Sequence, residues 1–178
     1  MRRAVFLDRD GVLNRPVQRG TQFVAPQRLE QFQLYPETVE AVRIIRTDLG
    51  ALAIVVTNQP DIGRGTLDPD ELERMHDYLR HVVGIDDLYC CPHCDDDCAC
   101  RKPKPGMLLA AAERWKIDLS LSFFIGDMGK DIQAGRKAGC QTVILRRDYN
   151  KGIVADLEAA DIREAVEQIA AHWRTQHG

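Results

Sequence analysis

Four short apolar runs constrain this chain more than any other feature: AVFLD (4–8), ALAIVVTN (51–58), SFFIGD (122–127) and QTVIL (141–145). Rich in Val, Ile and Phe and lacking polar alternation, they have the character of strands buried on both faces of a parallel sheet. DDLYC (87–91) is a weaker fifth. Helical patterns fill the intervals. PETVEAVRIIRTDLG (36–50) places Val39, Val42, Ile45 and Leu49 on one face. DPDELERMHDYLRHVVG (68–84) opens with Asp68 as cap, Pro69 at the first helical position and Glu71 three residues after the cap, and Gly84 stops it. GMLLAAAERW (106–115) and DIQAGRKAG (131–139) continue the alternation. A last helix is expected over 155–173, with Val154, Leu157, Ile162, Val166 and Ile169 near helical spacing. Strand and helix alternate with short connections. This predicts one domain, 1–178, of the α/β class: an open, Rossmann-like parallel sheet with helices on both faces.

The strand ends carry the chemistry. Asp8 and Asp10 follow the first strand directly, with Gly11 permitting a sharp turn. Ligands of open α/β sheets bind beyond the carboxyl ends of strands, so both carboxylates belong at a binding edge. The second long strand delivers Thr57 and Asn58 to that edge, and the strand ending FIGDMGKD delivers Asp127 and Asp131. Lys102 precedes another helix. Any one of these is ordinary turn chemistry; independent turn residues would rarely combine acids, a hydroxyl and a lysine at one edge. The set suits phosphoryl transfer, with acids to hold Mg²⁺ and a lysine and hydroxyl to offset charge on the transferring oxygens.

Composition narrows the alternatives. The net charge of −3 argues against nucleic acid as a partner, since a basic face is needed to displace counterions. No apolar run approaches the ~20 residues that span a bilayer. The opening Met-Arg-Arg precedes only Ala4 to Leu7 before Asp8, too little for a signal peptide. A cytoplasmic protein is expected, most simply a monomer, where thiols stay reduced and clustered cysteines bind metal.

Five of the six cysteines lie in YCCPHCDDDCACRKPKPGM (89–107). Cys91 and His93 with Cys98 and Cys100 supply four soft ligands for a closed tetrahedral Zn²⁺ site; Cys91, Cys94, Cys98 and Cys100 form an alternative set. Three aspartates beside the thiols disfavour a redox Cys-x-x-Cys. Cys140, after a helix-ending glycine, has the character of a buried core residue.

Asp8-Arg9-Asp10-Gly11, Thr57-Asn58-Gln59, Lys102-Pro103-Lys104-Pro105 and Gly126-Asp127-x-x-x-Asp131 resemble, in order, the four motifs of haloacid dehalogenase-like phosphatases. The resemblance implies that Asp8 is the nucleophile and forms an aspartyl-phosphate. Asp10 would protonate the leaving alcohol and then activate water, while Thr57 and Lys102 steady the phosphoryl group. Mg²⁺ would bind the Asp8 carboxylate, the Asp10 carbonyl and Asp127, with Asp131 either near the metal waters or holding Lys102. Cys91-Pro92-His93…Cys98-Ala99-Cys100-Arg101-Lys102-Pro103 further resembles the zinc loop of the branch that acts on heptose bisphosphate and histidinol phosphate. That similarity implies zinc on Cys91, His93, Cys98 and Cys100, although only four residues separate His93 from Cys98, fewer than in better-known members.

The zinc would be structural, pinning the loop that presents Lys102. The spacing leaves no room for a large cap domain, so loops 14–24, 59–66 and 93–101 must select the substrate. Gly11, Asn58, Gln59, Arg64 and Arg101 are the expected substrate contacts, with Arg101 gripping the distal part of a sugar phosphate. TNQPDIGRGTL (57–67), with its Arg64-Gly65 pair, resembles the heptose bisphosphate branch, which implies removal of the C7 phosphate of D-glycero-D-manno-heptose 1,7-bisphosphate, in heptose supply for lipopolysaccharide core, ahead of histidinol phosphate or another small phosphorylated metabolite. The alternative of a non-catalytic zinc-loop binding module is opposed by the presence of both Asp8 and Asp10.

Overall fold

The computed structural model describes residues 1–175. Five expected strands are present: β1 (Ala4–Leu7), β4 (Leu52–Asn58), β5 (Asp87–Cys91), β6 (Phe123–Gly126) and β7 (Gln141–Leu145). With β8 (Leu157–Ala159) they form a six-stranded parallel sheet of order β5-β4-β1-β6-β7-β8. A separate antiparallel hairpin, β2 (Val17–Arg19) and β3 (Gln22–Val24), fills the loop after β1. The chain builds outward from β1 in one direction through β4 and β5. It then returns to β1's other side for β6, β7 and β8. The order therefore reverses between β1 and β6, which opens a crevice at their carboxyl ends.

Burial on both faces explains why the strands show no polar alternation. Val5 and Leu7 point into one apolar cluster, and Ala4 and Phe6 into the other. The first cluster is closed by α1 (Thr38–Arg43), α3 (Pro69–Tyr78) and α6 (Ile162–Thr175), through Val42, Met75, Val166 and Ile169. The second is closed by α4 (Gly106–Trp115) and α5 (Gly129–Ala138), through Leu108, Ala111 and Ala134. The short α2 (Pro60–Gly63) follows β4. Among the described residues no helix is long and apolar enough to cross a membrane.

Several local expectations change. The helix foreseen over 155–173 begins only at Ile162; Leu157 lies in β8, and Val154 is exposed. In β8 the main chain pairs with β7, a non-local gain that overrides the helix-favouring Leu-Glu-Ala-Ala composition. In the first helix Val42 and Ile45 are buried but Val39 is exposed, and the last turn, Ile44–Asp48, widens to π geometry. Asp68 caps α3 as expected, its carboxylate accepting from Asp70 N at 2.9 Å. Glu71 makes no return bond to the cap and instead accepts from Leu29 N at 2.9 Å, tying the 25–31 segment to α3.

Candidate active site

Asp8 continues the β1 ladder for one residue, its N–H donating to Ile125 O at 3.0 Å, and so carries its carboxylate into the crevice. Beyond it the chain turns at Gly11, whose φ of +87° lies in the left-handed region. A Cβ at Gly11 would fall 2.0 Å from Asp127 Oδ2, so only glycine lets this turn press against the end of β6. Gly11 thus shapes the site through its backbone. Gly126 has a similar role, since a Cβ there would lie 2.3 Å from Asp131 Cβ.

Lys102 is the hub. Its ammonium, buried, lies 2.7 Å from Asp8 Oδ1 and 2.8 Å from Asp131 Oδ1, and donates to Val56 O at 2.9 Å. Asn58 grips its backbone both ways, accepting from Lys102 N and donating to Lys102 O, each at 3.1 Å. Of the two roles left open for Asp131, the structure places it against Lys102; its other oxygen accepts from Met128 N at 3.0 Å at the start of α5. Asp8, Asp127 and Asp131 bring carboxylate oxygens within 4.8 Å of one another. Lys102 offsets one of the three charges. Burial, followed by repulsion from Asp131, raises the Asp8 carboxyl to about 7 and that of Asp127 to about 6. Burial alone would discharge the lysine, yet Asp131 and Asp8 hold its pKa above the ordinary value. Clustered hard oxygen donors with excess negative charge fit a divalent cation of the Mg²⁺ type.

Asp10 faces different company. Arg9, fully buried, forks onto its carboxylate at 3.1–3.3 Å. Asn14 Nδ2 and Gln59 Nε2 each donate to it at 2.9 Å. Burial works to raise this carboxyl, but Arg9 and the amide donors outweigh it and hold the pKa below the ordinary value. Gln59 Nε2 also donates to Thr57 Oγ1 at 2.9 Å, linking the buried hydroxyl to Asp10.

A cavity of about 510 Å³ opens over these groups, lined by Asp8, Asp10, Asp127 and Lys130 and by the apolar faces of Phe23, Met128 and Tyr149. Asn58, Gln59 and Arg64 also line it, Arg64 paired with Asp61 at 3.0 Å. Arg101 does not line it. Its guanidinium donates to His93 O at 2.8 Å and pairs with Asp96 at 3.2 Å, bracing the cysteine loop. The loop is only four residues long between His93 and Cys98, and closing so short a turn uses Arg101 as a strut.

In that loop Cys91, His93, Cys98 and Cys100 bring their ligand atoms within 4.8 Å of one another. His93 Nδ1 lies 3.4 Å from Cys91 Sγ and 3.3 Å from Cys100 Sγ. Cys94 is exposed and outside the cluster, so the alternative ligand set is not the one assembled. All six cysteines are free thiols, and Cys140 is buried as expected. Three thiols and one imidazole in this arrangement suit a closed tetrahedral zinc site.

Sequence reasoning missed the turn Asp148–Asn150 beyond β7. The Tyr149 hydroxyl donates to Asp127 Oδ2, Asn150 Nδ2 donates to Asp127 O at 2.8 Å, and Arg147 donates to Gly11 O at 3.1 Å. The one available signal was position: the turn follows the carboxyl end of a parallel strand, on the edge where ligands bind.

The chain is similar to several known proteins. The family model for haloacid dehalogenase-like hydrolases matches residues 15–139, from just past Asp10 to the end of α5. The D-glycero-alpha-D-manno-heptose-1,7-bisphosphate 7-phosphatase of Burkholderia mallei is 38% identical over 174 residues, 90% of this chain and 88% of that one. The D-glycero-beta-D-manno-heptose-1,7-bisphosphate 7-phosphatase of Pasteurella multocida is 36% identical over 157 residues, 82% of each chain. The crystal structure of the D,D-heptose 1,7-bisphosphate phosphatase of B. bronchiseptica, in complex with magnesium and phosphate, superposes with a TM-score of 0.82 at 30% identity, covering 96% of this chain and 99% of that one. With its sheet order, its four motifs at one sheet edge and these relatives, the chain belongs to the haloacid dehalogenase-like hydrolase family.

Proposed function

We propose that this protein is a Mg²⁺-dependent phosphomonoesterase that removes the C7 phosphate of D-glycero-D-manno-heptose 1,7-bisphosphate through a phosphorylated Asp8. The observation that carries the reaction is the buried Asp8–Lys102–Asp131 arrangement, which meets the cavity at Asp8, with Asp127 beside it on the cavity wall. The heptose substrate is supported by relatives named for the α and β anomers alike, so the C1 configuration is left to the test.

In this reading Asp8 attacks the phosphorus, the bond to the C7 oxygen breaks, and Asp10 gives the leaving oxygen its proton. The resting contacts keep Asp10 ionised, the form needed to take a proton from water in the hydrolytic half-reaction. A phosphate dianion entering beside it raises its proton affinity, which suits the first half. Lys102 and Thr57 offset charge on the transferring oxygens. Asn58 and Gln59 act by positioning, one on Lys102 and the other on Asp10 and Thr57. Arg64, on the cavity wall, is the arginine available to the distal phosphate. Asp8, Asp127 and the Asp10 carbonyl would hold Mg²⁺, which supplies charge to neutralise the phosphoryl oxygens and the nucleophile. Cys91, His93, Cys98 and Cys100 would hold Zn²⁺ in a structural role, leaving no open coordination position. The chain, 1–178, works as one domain and as a monomer.

A panel of heptose 1,7-bisphosphate, histidinol phosphate and an aryl phosphate, each with Mg²⁺ and with EDTA, tests the proposal. Mg²⁺-dependent turnover with the highest kcat/KM on the heptose ester is expected. A preference for histidinol phosphate, or turnover that survives EDTA, overturns it.

A further inference from the structure

The turn after β7 meets Asp127 at two points. Tyr149 donates its hydroxyl to carboxylate Oδ2, and the next residue, Asn150, donates to the Asp127 carbonyl at 2.8 Å. Asn150 is itself locked: it is buried, donates to Leu145 O at 2.7 Å and accepts from Arg147 N at 3.0 Å. The half-exposed phenol has a ring neighbour, and its turn is tied to the loop after β1. The Phe23 ring of the β2–β3 hairpin lies 6.1 Å from the Tyr149 ring, and Arg147 is tied to Gly11 O at 3.1 Å. Three loops of the sheet edge, after β1, β6 and β7, therefore converge on one carboxylate.

A carboxylate with one oxygen bound to a fixed donor presents the other in a set direction. That orientation would otherwise have to be acquired during metal binding, at an entropic cost. We propose that Tyr149 is a positioning residue for Asp127: its hydroxyl holds Oδ2 so that Oδ1 is preset toward the cation shared with Asp8. Phe23 braces the phenol from the hairpin. The proposal rests on the reading of Asp127 as a Mg²⁺ ligand. It concerns affinity for the ion and the order of the site.

Calorimetric titration of Mg²⁺ into the full-length protein tests it, with wild type, Tyr149→Phe and Asp127→Asn side by side. Tyr149→Phe retains the ring against Phe23 and removes only the hydroxyl. It should weaken Mg²⁺ binding by about tenfold or more. The KM for Mg²⁺ should rise in step, while the melting temperature without metal stays near wild type. Equal Mg²⁺ affinity in wild type and Tyr149→Phe overturns the proposal. So does tighter binding, which would mean that the phenol competes with the ion. If wild type and Asp127→Asn bind Mg²⁺ equally well, the assignment of Asp127 as a ligand fails first, a different outcome from failure of the Tyr149 contact.

Discussion

Lys102 and the three acids around it concentrate the site's electrostatics in one buried cluster. Asp131 touches no cavity surface, yet it supplies half of the anionic cradle that aims Lys102. Asp131→Asn should therefore lower kcat by about a hundredfold, as a displaced catalytic group does, with KM for the ester changed by far less. Steady-state kinetics on heptose bisphosphate checks this. The raised carboxyls of Asp8 (about 7) and Asp127 (about 6) give a second expectation. Below about pH 6 both groups hold protons that Mg²⁺ must displace; above about pH 7 both are ionised. Mg²⁺ affinity should therefore climb through this window and level off above it, with protons released on binding; calorimetry in buffers of different ionisation enthalpy reads both. Asp8, Asp10, Thr57 and Asp127 were legible because each stands at or beside the end of an apolar strand, and Lys102 because it stands just ahead of a helix, where local sequence reports position. Tyr149 and Asn150 were not, since their contacts to Asp127 cross 22 and 23 residues and exist only once three loops converge. Arg101, expected at the substrate, faces His93 O and Asp96 in this structure, since an arginine next to Lys102 can turn to substrate or to its own loop.

In the proposed reading the cysteine loop would couple a zinc ion to Lys102 without sharing a ligand. Cys100 is two residues from Lys102, and Asn58 clamps the Lys102 backbone from β4, so slack in the loop is transmitted to the ammonium. Cys98→Ser should lose zinc and much of the activity, whereas Cys94→Ser should retain about one zinc per chain, the complement of a closed four-ligand site. Elemental analysis of the purified variants separates them; zinc loss in Cys94→Ser would move that thiol into the ligand set. β1, β4, β6 and β7 announced themselves by continuous apolar runs, and β5 more weakly. The β2–β3 hairpin did not, because Val17–Arg19 and Gln22–Val24 are largely exposed and bury no face. β8 was hidden by a different mechanism: three residues of helix-favouring composition are held extended by a neighbouring strand.

At the scale of the whole molecule the site is an edge phenomenon, borne by a sheet that is buried on both sides. Ile169 of α6 is fully buried in the cluster behind β1, β6 and β7 and touches none of the reacting groups. Ile169→Ala should cost about 2–5 kcal/mol in urea unfolding, through lost transfer energy and a residual cavity, while kcat per folded molecule is retained. The open parallel sheet, though not its strand order, followed from alternation of strand and helix plus the rule that parallel strands need crossovers. The ester came from the resemblance of TNQPDIGRGTL and the cysteine loop to the heptose bisphosphate branch, because a capless site selects with loops whose conformations have no periodic signature. Phosphorus-31 NMR of heptose 1,7-bisphosphate, incubated with Mg²⁺ and either wild type or Asp8→Asn, tests the central claim most directly. The account predicts that wild type removes the C7 phosphate resonance, leaves the C1 phosphate in place and liberates inorganic phosphate, while Asp8→Asn leaves both esters intact. Loss of the C1 phosphate instead, or near-native release by Asp8→Asn, would contradict it.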